Sequence, residues 1–199
     1  KLSKEIDVPC IEPLKPIITE FADYLKESPS PGAGKQHVID EEYFQRIEAI
    51  NYTIAHDDGQ SAENLKNADI ILIGPSRTSK SPTSMYLAYK GFKTANVPYV
   101  SGTKPLFNPE DLKNKCVVGL SICSTRLVEI RKNRLLSLSE KHHTEYVDTE
   151  QVEKEMLEAR RFCAQNKWPV IDITNKSIEE ISARIVQMYH DWRKSHRGV

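Results

Sequence analysis

No stretch of this chain is apolar for long enough to span a bilayer, which takes roughly 20 residues in a helix, and no signal-type apolar block stands at its start. Lys1 occupies the place of an initiator methionine, which fits a processed or a trimmed chain. An excess of charge of one sign is also missing: 28 basic and 28 acidic residues cancel, so no overall field draws the chain to nucleic acid or to an anionic membrane. Any affinity for anions must therefore be local. Cysteine is sparse. Cys10, Cys116, Cys123 and Cys163 form no C-x-x-C pair and no histidine falls at a zinc-like spacing, which reads as reduced thiols in an intracellular compartment. His142 and His143 are adjacent rather than three or four apart, so they suit solvent better than a helical metal pair. Internal repeats are absent, and the only biased segment is SPSPGAG, residues 28–34.

What is present begins with the segment ADIILIGPSRTSKSPTSMYLAYKGF, residues 68–92. Ile70, Ile71, Leu72 and Ile73 form a continuous apolar run, as expected of a strand covered on both faces of a parallel sheet. Gly74, Pro75, Ser76, Arg77, Thr78, Ser79, Lys80 and Ser81 follow, matching G-x-x-x-x-G-K-[ST] except that Ser79 replaces the second glycine. Pro82 suits the first turn of a helix, Met85, Leu87 and Ala88 propagate it, and Gly91 can end it. Such a loop aims backbone N–H groups and a helix N-terminus at phosphate oxygens, with Lys80 as a point charge and the Ser81 hydroxyl within reach of a metal. The plainer alternative is a serine-rich loop capping a core helix, with Lys80 solvated. Against it stands a run of hydroxyls and two cations without a carboxylate among them.

Periodicity and punctuation organise the rest. Residues 6–11 suggest a short strand, and 16–27 a helix carrying Ile17, Ile18, Phe21, Tyr24 and Leu25. Residues 28–34 then mark a boundary, so we expect an N-terminal piece over 1–34 and a main domain over 35–199. Asp40 can cap a helix bearing Phe44, Ile47, Ile50 and Ile54 that ends near His56. Strands are expected at 97–100, 116–122 and 170–173. Helices are expected around Leu127, Ile130 and Leu135, from Asp148 or Thr149 through Phe162, and after a Ser177/Glu180 capping box. This alternation predicts an α/β fold: a mainly parallel sheet flanked by helices, with a P-loop-like strand, loop and helix whose 74–81 segment lies at the carboxyl edge.

Three further constellations carry possible chemistry. His56, Asp57, Asp58 and Gly59 precede the loop strand; the carboxylates could hold Mg²⁺ or accept a hydroxyl proton, or the set could be an exposed turn. Arg126, Arg131, Lys132 and Arg134 could clamp a phosphate or form a solvated helix face. Asp172 ends an apolar run as a Walker B carboxylate does, a common pattern.

GPSRTSKSP followed by SMYLAYKGFKTANVPYV resembles the signature of the pyruvate, phosphate dikinase regulatory proteins, a family that includes the bacterial phosphoenolpyruvate synthase regulators. RIEAINYTIAHDDG, VVGLSI, RLVEIRKNRL and WPVIDITNKSIEEISARI are similar to that family in order and spacing, so the resemblance covers nearly the whole chain. Gly74, Arg77 and Lys80 match its loop; Pro75 replaces a more usual small aliphatic residue, and Ser81 stands where threonine is common.

The resemblance implies a bifunctional enzyme that phosphorylates a threonine of the dikinase with ADP as donor, and removes the phosphate with inorganic phosphate, forming pyrophosphate. The partner is the dikinase in its phosphohistidine form. On this reading the 74–81 loop holds the β-phosphate of ADP or inorganic phosphate, and Lys80 and Arg77 offset charge on the transferring group. Asp58 or Asp57 takes the threonine proton, with His56 a further candidate, and Ser81 with Asp58 would bind Mg²⁺. The resemblance also implies a homodimer, located in the chloroplast stroma for the plant form or the cytoplasm for a bacterial one, and a further N-terminal α/β segment of which 1–27 is a remnant. Outside the family, a small-metabolite kinase or a non-catalytic sensor of ADP or phosphate would use the same loop.

Overall fold

A computed structural model describes residues 13–27, 41–59, 62–105, 107–138 and 145–196. The expected strand at 6–11, the 28–34 boundary, Asp40, Cys10 and the His142–His143 pair lie outside the described residues. The chain divides into two units, Lys1–Val38 and Ile39–Val199. In the first, helix α1, Lys15–Leu25, has proline in its first turn and ends on Lys26 in the left-handed conformation. Its apolar side chains Ile17, Ile18, Phe21 and Leu25 are exposed.

In the second unit, four parallel strands alternate with helices. α2 is Glu41–Ala55, β1 Ile70–Gly74, α3 Lys80–Tyr89, β2 Thr94–Pro98 and β3 Cys116–Ser121. α4 is Ser124–Leu138, α5 Thr149–Gln165, β4 Val170–Asp172 and α6 Ile178–His196. The spatial order is β2-β1-β3-β4, with every pairing parallel. The α/β architecture read from the alternation is therefore the one observed. From β1 the chain steps to one side for β2, then back across β1 for β3. The ends of β1 and β3 thus face a topological switch point, where open parallel sheets bind ligands.

The central strands are covered on both faces, which explains their uninterrupted apolar runs. Ile70 and Leu72 of β1 pack with Val118 and Leu120 of β3 against Leu87 of α3, Leu127 of α4 and Ile181 and Ile185 of α6. Ile71 and Ile73 point the other way, with Ala95, Val97, Val117, Leu112, Cys163 and Trp168. This alternation by twos within an all-apolar strand divides the core into two layers. Gly74 ends β1 because a side chain cannot fit: a Cβ there would lie 2.6 Å from the Leu120 carbonyl oxygen and 2.9 Å from Thr78 Oγ1.

Local signals were faithful at several ends. The Asp148 carboxylate accepts from the Gln151 N–H at 2.9 Å to cap α5. Ser177 and Glu180 make the reciprocal capping box at 2.9 and 3.2 Å. One strand differs from expectation: β2 runs 94–98 rather than 97–100, because Thr94, Ala95 and Asn96 pair with β1 although two of them are polar. At the other end Tyr99 donates its N–H to the Gly74 carbonyl at 2.9 Å, beyond the last residue of the strand.

Candidate phosphate-binding site

The chain leaves β1 at Gly74 and enters α3 at Lys80, so the 75–79 turn lies at the carboxyl edge of the sheet. Arg77 (φ 70°) and Ser79 (φ 54°) both take the left-handed conformation that glycine adopts without strain. Ser79 therefore holds a conformation ordinarily left to glycine, at a cost on the order of 1 kcal/mol. Ser79 also stands as the N-cap of α3 without bonding to the helix through its side chain.

Lys80 is buried, and its ammonium donates to the Pro75 carbonyl at 2.8 Å. Thr78 Oγ1 donates to the same oxygen at 2.9 Å, which closes the loop on itself. Burial lowers the Lys80 pKa to about 8, with Arg131 adding to the effect; Asp58, Asp57 and Glu155 oppose it. The site thus holds a cation whose charge is only partly compensated, which suits it to an anion.

Tertiary packing brings the HDDG segment to this loop. β2 is an edge strand, and the end of α2 covers that edge: Thr94 N–H donates to Thr53 Oγ1 at 3.1 Å and Asn96 N–H to the His56 carbonyl at 3.0 Å. The turn that follows α2 then reaches α3. Ser81 Oγ donates to Asp57 Oδ1 at 2.9 Å, and Asn96 Nδ2 donates both to Asp57 Oδ1 and, at 2.9 Å, to Ser81 Oγ. Asp58, with φ 51°, turns the other way and is exposed. It lines a cavity of about 320 Å³ together with Ser76, Arg77, Ser79, Lys80 and Ser81.

The two adjacent carboxylates therefore do different things. Asp57 orients Ser81, whereas Asp58 faces the cavity beside Lys80. His56 is buried, stacked on Tyr52 at 3.9 Å, with Nδ1 2.7 Å from the Tyr52 carbonyl; it is not among the residues lining the cavity. Gly74, Pro75 and Thr78 form the floor of the loop and are buried rather than presented to the cavity.

The arginine cluster separates in the same way. Arg131 is 2% exposed, ion-paired to Glu155 at 2.8 Å, stacked over Tyr146 at 4.4 Å, and donates to the Ser76 and Tyr146 carbonyls at 3.1 and 3.2 Å. It braces the loop from behind instead of facing a ligand. Arg126 pairs with Glu129 on the surface, and Lys132 and Arg134 are exposed. Asp172 lies at the end of β4, accepts from the Thr174 N–H at 2.8 Å and lines another cavity with Cys123 and Arg160. The bond to the loop hydroxyl that a Walker B carboxylate would make is made by Asp57. Asn96 was missed from the sequence; its only signal was a polar residue inside an otherwise strand-like TANVPYV.

Among the described residues no group of three or more His, Cys, Asp or Glu side chains is arranged to hold a metal ion. Mg²⁺ does not need one, since it commonly takes one or two carboxylates, waters and substrate phosphates. No helix among the described residues is long and apolar enough to cross a membrane.

Comparison with known proteins gives this geometry a context. The family described as Kinase/pyrophosphorylase matches residues 1–186. The chain is similar to proteins named as pyruvate, phosphate dikinase regulatory proteins in several bacteria. One from Wolbachia pipientis wMel is 50% identical over 186 residues, covering 94% of this chain and 67% of the relative. One from Anaplasma phagocytophilum strain HZ is 48% identical over 197 residues, 99% of this chain and 69% of the relative. One from Caulobacter vibrioides is 46% identical over 185 residues, 93% of this chain and 59% of the relative.

Proposed function

The chain belongs to the kinase/pyrophosphorylase family, and from that membership we propose that it regulates pyruvate, phosphate dikinase by placing a phosphoryl group on a threonine and removing it again. The observation that carries this reading is the shared cavity: Lys80, Arg77 and the loop hydroxyls meet one exposed carboxylate, Asp58, in a single 320 Å³ space. A phosphoryl acceptor hydroxyl needs a base and the transferring group needs fixed positive charge, and a cavity lined by Asp58, Arg77 and Lys80 supports assigning them those roles.

In the inactivating direction the threonine oxygen attacks the β-phosphorus of ADP, its proton passes to Asp58, and the bond to the α-phosphate breaks so that AMP leaves with the electron pair. Lys80 and Arg77 face the charge that spreads over the transferring oxygens. In the activating direction an oxygen of inorganic phosphate attacks the phosphothreonine phosphorus. The threonine oxygen leaves, regains its proton from Asp58, and pyrophosphate is released. The same phosphoryl group moves in both directions, so inorganic phosphate takes the place that the phosphate of AMP takes in the other.

Mg²⁺ fits the residues present: Ser81 and Asp58 would hold it, Asp57 and Asn96 would fix the serine hydroxyl, and the ion would neutralise phosphate charge. Bacterial sources of the relatives weigh toward the cytoplasm over the chloroplast stroma as the compartment. A homodimer is carried over from the resemblance alone.

The test uses phosphohistidine-form dikinase and ADP labelled at the β-phosphate. Label on a dikinase threonine, and its release as pyrophosphate on adding inorganic phosphate, is the expected outcome. Lys80→Ala should abolish both steps; either step at near normal rate in that variant would remove the shared site. Tight ADP binding without transfer would instead identify a sensor.

A further inference from the structure

A second cavity, of about 260 Å³, opens at the carboxyl ends of β1 and β2 and has no role in the chemistry above. Its walls are Ile73, Tyr99, Val100, Phe107 and Phe162, and among the described residues Lys104 is the one cation in the lining and no carboxylate joins it. Pro98, the last residue of β2, belongs to the lining of both this cavity and the phosphate cavity, so the two are neighbours across one residue. The rings form a connected set: Tyr99 and Phe162 lie 5.6 Å apart at 41°, and Phe107 and Phe162 6.5 Å apart at 68°.

We propose that this aromatic cavity holds the nucleobase of the nucleoside diphosphate whose phosphates occupy the 74–81 loop. The inference rests on the reading of that loop as the donor site. Four observations on the molecule favour a base over other occupants. The space, about 260 Å³, falls just below the usual range for a pocket that takes a whole drug-sized ligand, and the cavity of the 74–81 loop adjoins it. Its faces are aromatic, and any purine or pyrimidine can stack on them. Among the described residues no carboxylate lines it, and Lys104 does. Finally, the end of β2 joins the cavities, so a single sugar-phosphate link passing Pro98 would connect them.

The chemistry of the two directions supplies a discriminating consequence. ADP carries a base and inorganic phosphate does not, so the aromatic cavity serves only the ADP-dependent reaction. A polypeptide substrate seated there would serve both. The two readings therefore separate by comparing the directions within one protein.

The experiment measures KM for ADP and KM for inorganic phosphate with the dikinase as substrate, in Val100→Trp and Phe107→Ala. Val100 is 54% exposed, so a tryptophan there can fill the mouth without disturbing the core; Phe107→Ala removes a wall. Loss of one base–aromatic contact is expected to raise KM for ADP about 5- to 150-fold, with KM for phosphate within about twofold of wild type. Binding of ADP, but not of pyrophosphate, should weaken in parallel when titrated directly.

If KM for ADP is unchanged in both variants, the base lies elsewhere and the inference is wrong. If both directions fall together, the cavity belongs to the polypeptide, and the inference is equally wrong. If the unmodified protein transfers phosphoryl in neither direction, the reading of the loop itself fails and takes this inference with it, an outcome distinct from the other two.

Discussion

Replacing Lys80 with methionine should make the protein more stable while destroying its affinity for phosphates. The lysine stem is buried and its pKa falls from 10.5 to about 8, first because burial disfavours the ammonium. That fall corresponds to roughly 3 kcal/mol by which the folded state is penalised for carrying the charge. Below pH 8 both folded and unfolded chains hold the proton, and the penalty is constant. Between 8 and 10.5 only the unfolded chain holds it, so wild-type stability rises with pH; above 10.5 the penalty is gone.

Methionine keeps the apolar stem and removes the charge, but also removes the bond to the Pro75 carbonyl, worth roughly 1.5 kcal/mol for a charged donor. The net expectation at pH 7 is a gain of about 1–2 kcal/mol, which shrinks as pH is raised above 8 and reverses to a deficit of about 1–2 kcal/mol near pH 10.5. Urea unfolding of both proteins at pH 7 and pH 9.5 measures the gap, and subtracting one from the other cancels titrations they share. A methionine variant that is less stable at pH 7, or a gap indifferent to pH, would refute the account of Lys80 as a buried, under-compensated cation kept for its ligand.

Gly74→Ala should cost about 1–3 kcal/mol and weaken pyrophosphate binding, because its Cβ would sit 2.6 Å from a backbone oxygen of β3 that cannot move without the sheet. Calorimetric titration with pyrophosphate beside a urea melt checks both parts. Arg131→Met should destabilise by about 3 kcal/mol, since Glu155 loses its partner in a largely enclosed site. Glu155→Gln added to it should restore part of that loss, which a double-mutant cycle reads directly. Additivity of the two would mean that the pair is not coupled.

Much of the architecture was legible because it is written in short-range patterns. The apolar run of Ile70 to Ile73, the loop that follows and the capping box at Ser177 and Glu180 are all decided within a few residues by backbone sterics and hydrogen bonding. β2 was misplaced by three residues because its start is polar, and its pairing with β1 rather than its own composition makes it a strand. Asp172 resembled a metal-site carboxylate for the converse reason: an apolar run ending in aspartate describes any strand whose carboxyl end meets solvent, and it does not say which cavity that end faces.

A buried strand, a turn rich in hydroxyls and the opening of a helix are all legible in residues 68–92 alone, because each is decided by near neighbours in the chain. Ser79 carries the glycine-like backbone turn there, as its positive φ shows. The surroundings of that loop come from packing between distant segments. Asp57 and Ser81 are 24 residues apart in the chain and Asp57 and Asn96 are 39 apart, and they meet because the end of α2 covers the open edge of β2. Likewise Arg131, one of four similar cations in the sequence, became the buried brace of the loop because it alone faces Glu155, Tyr146 and the Ser76 carbonyl. Side-chain type and local spacing set which chemistry is possible; strand order and edge protection select which of the candidate groups share a cavity.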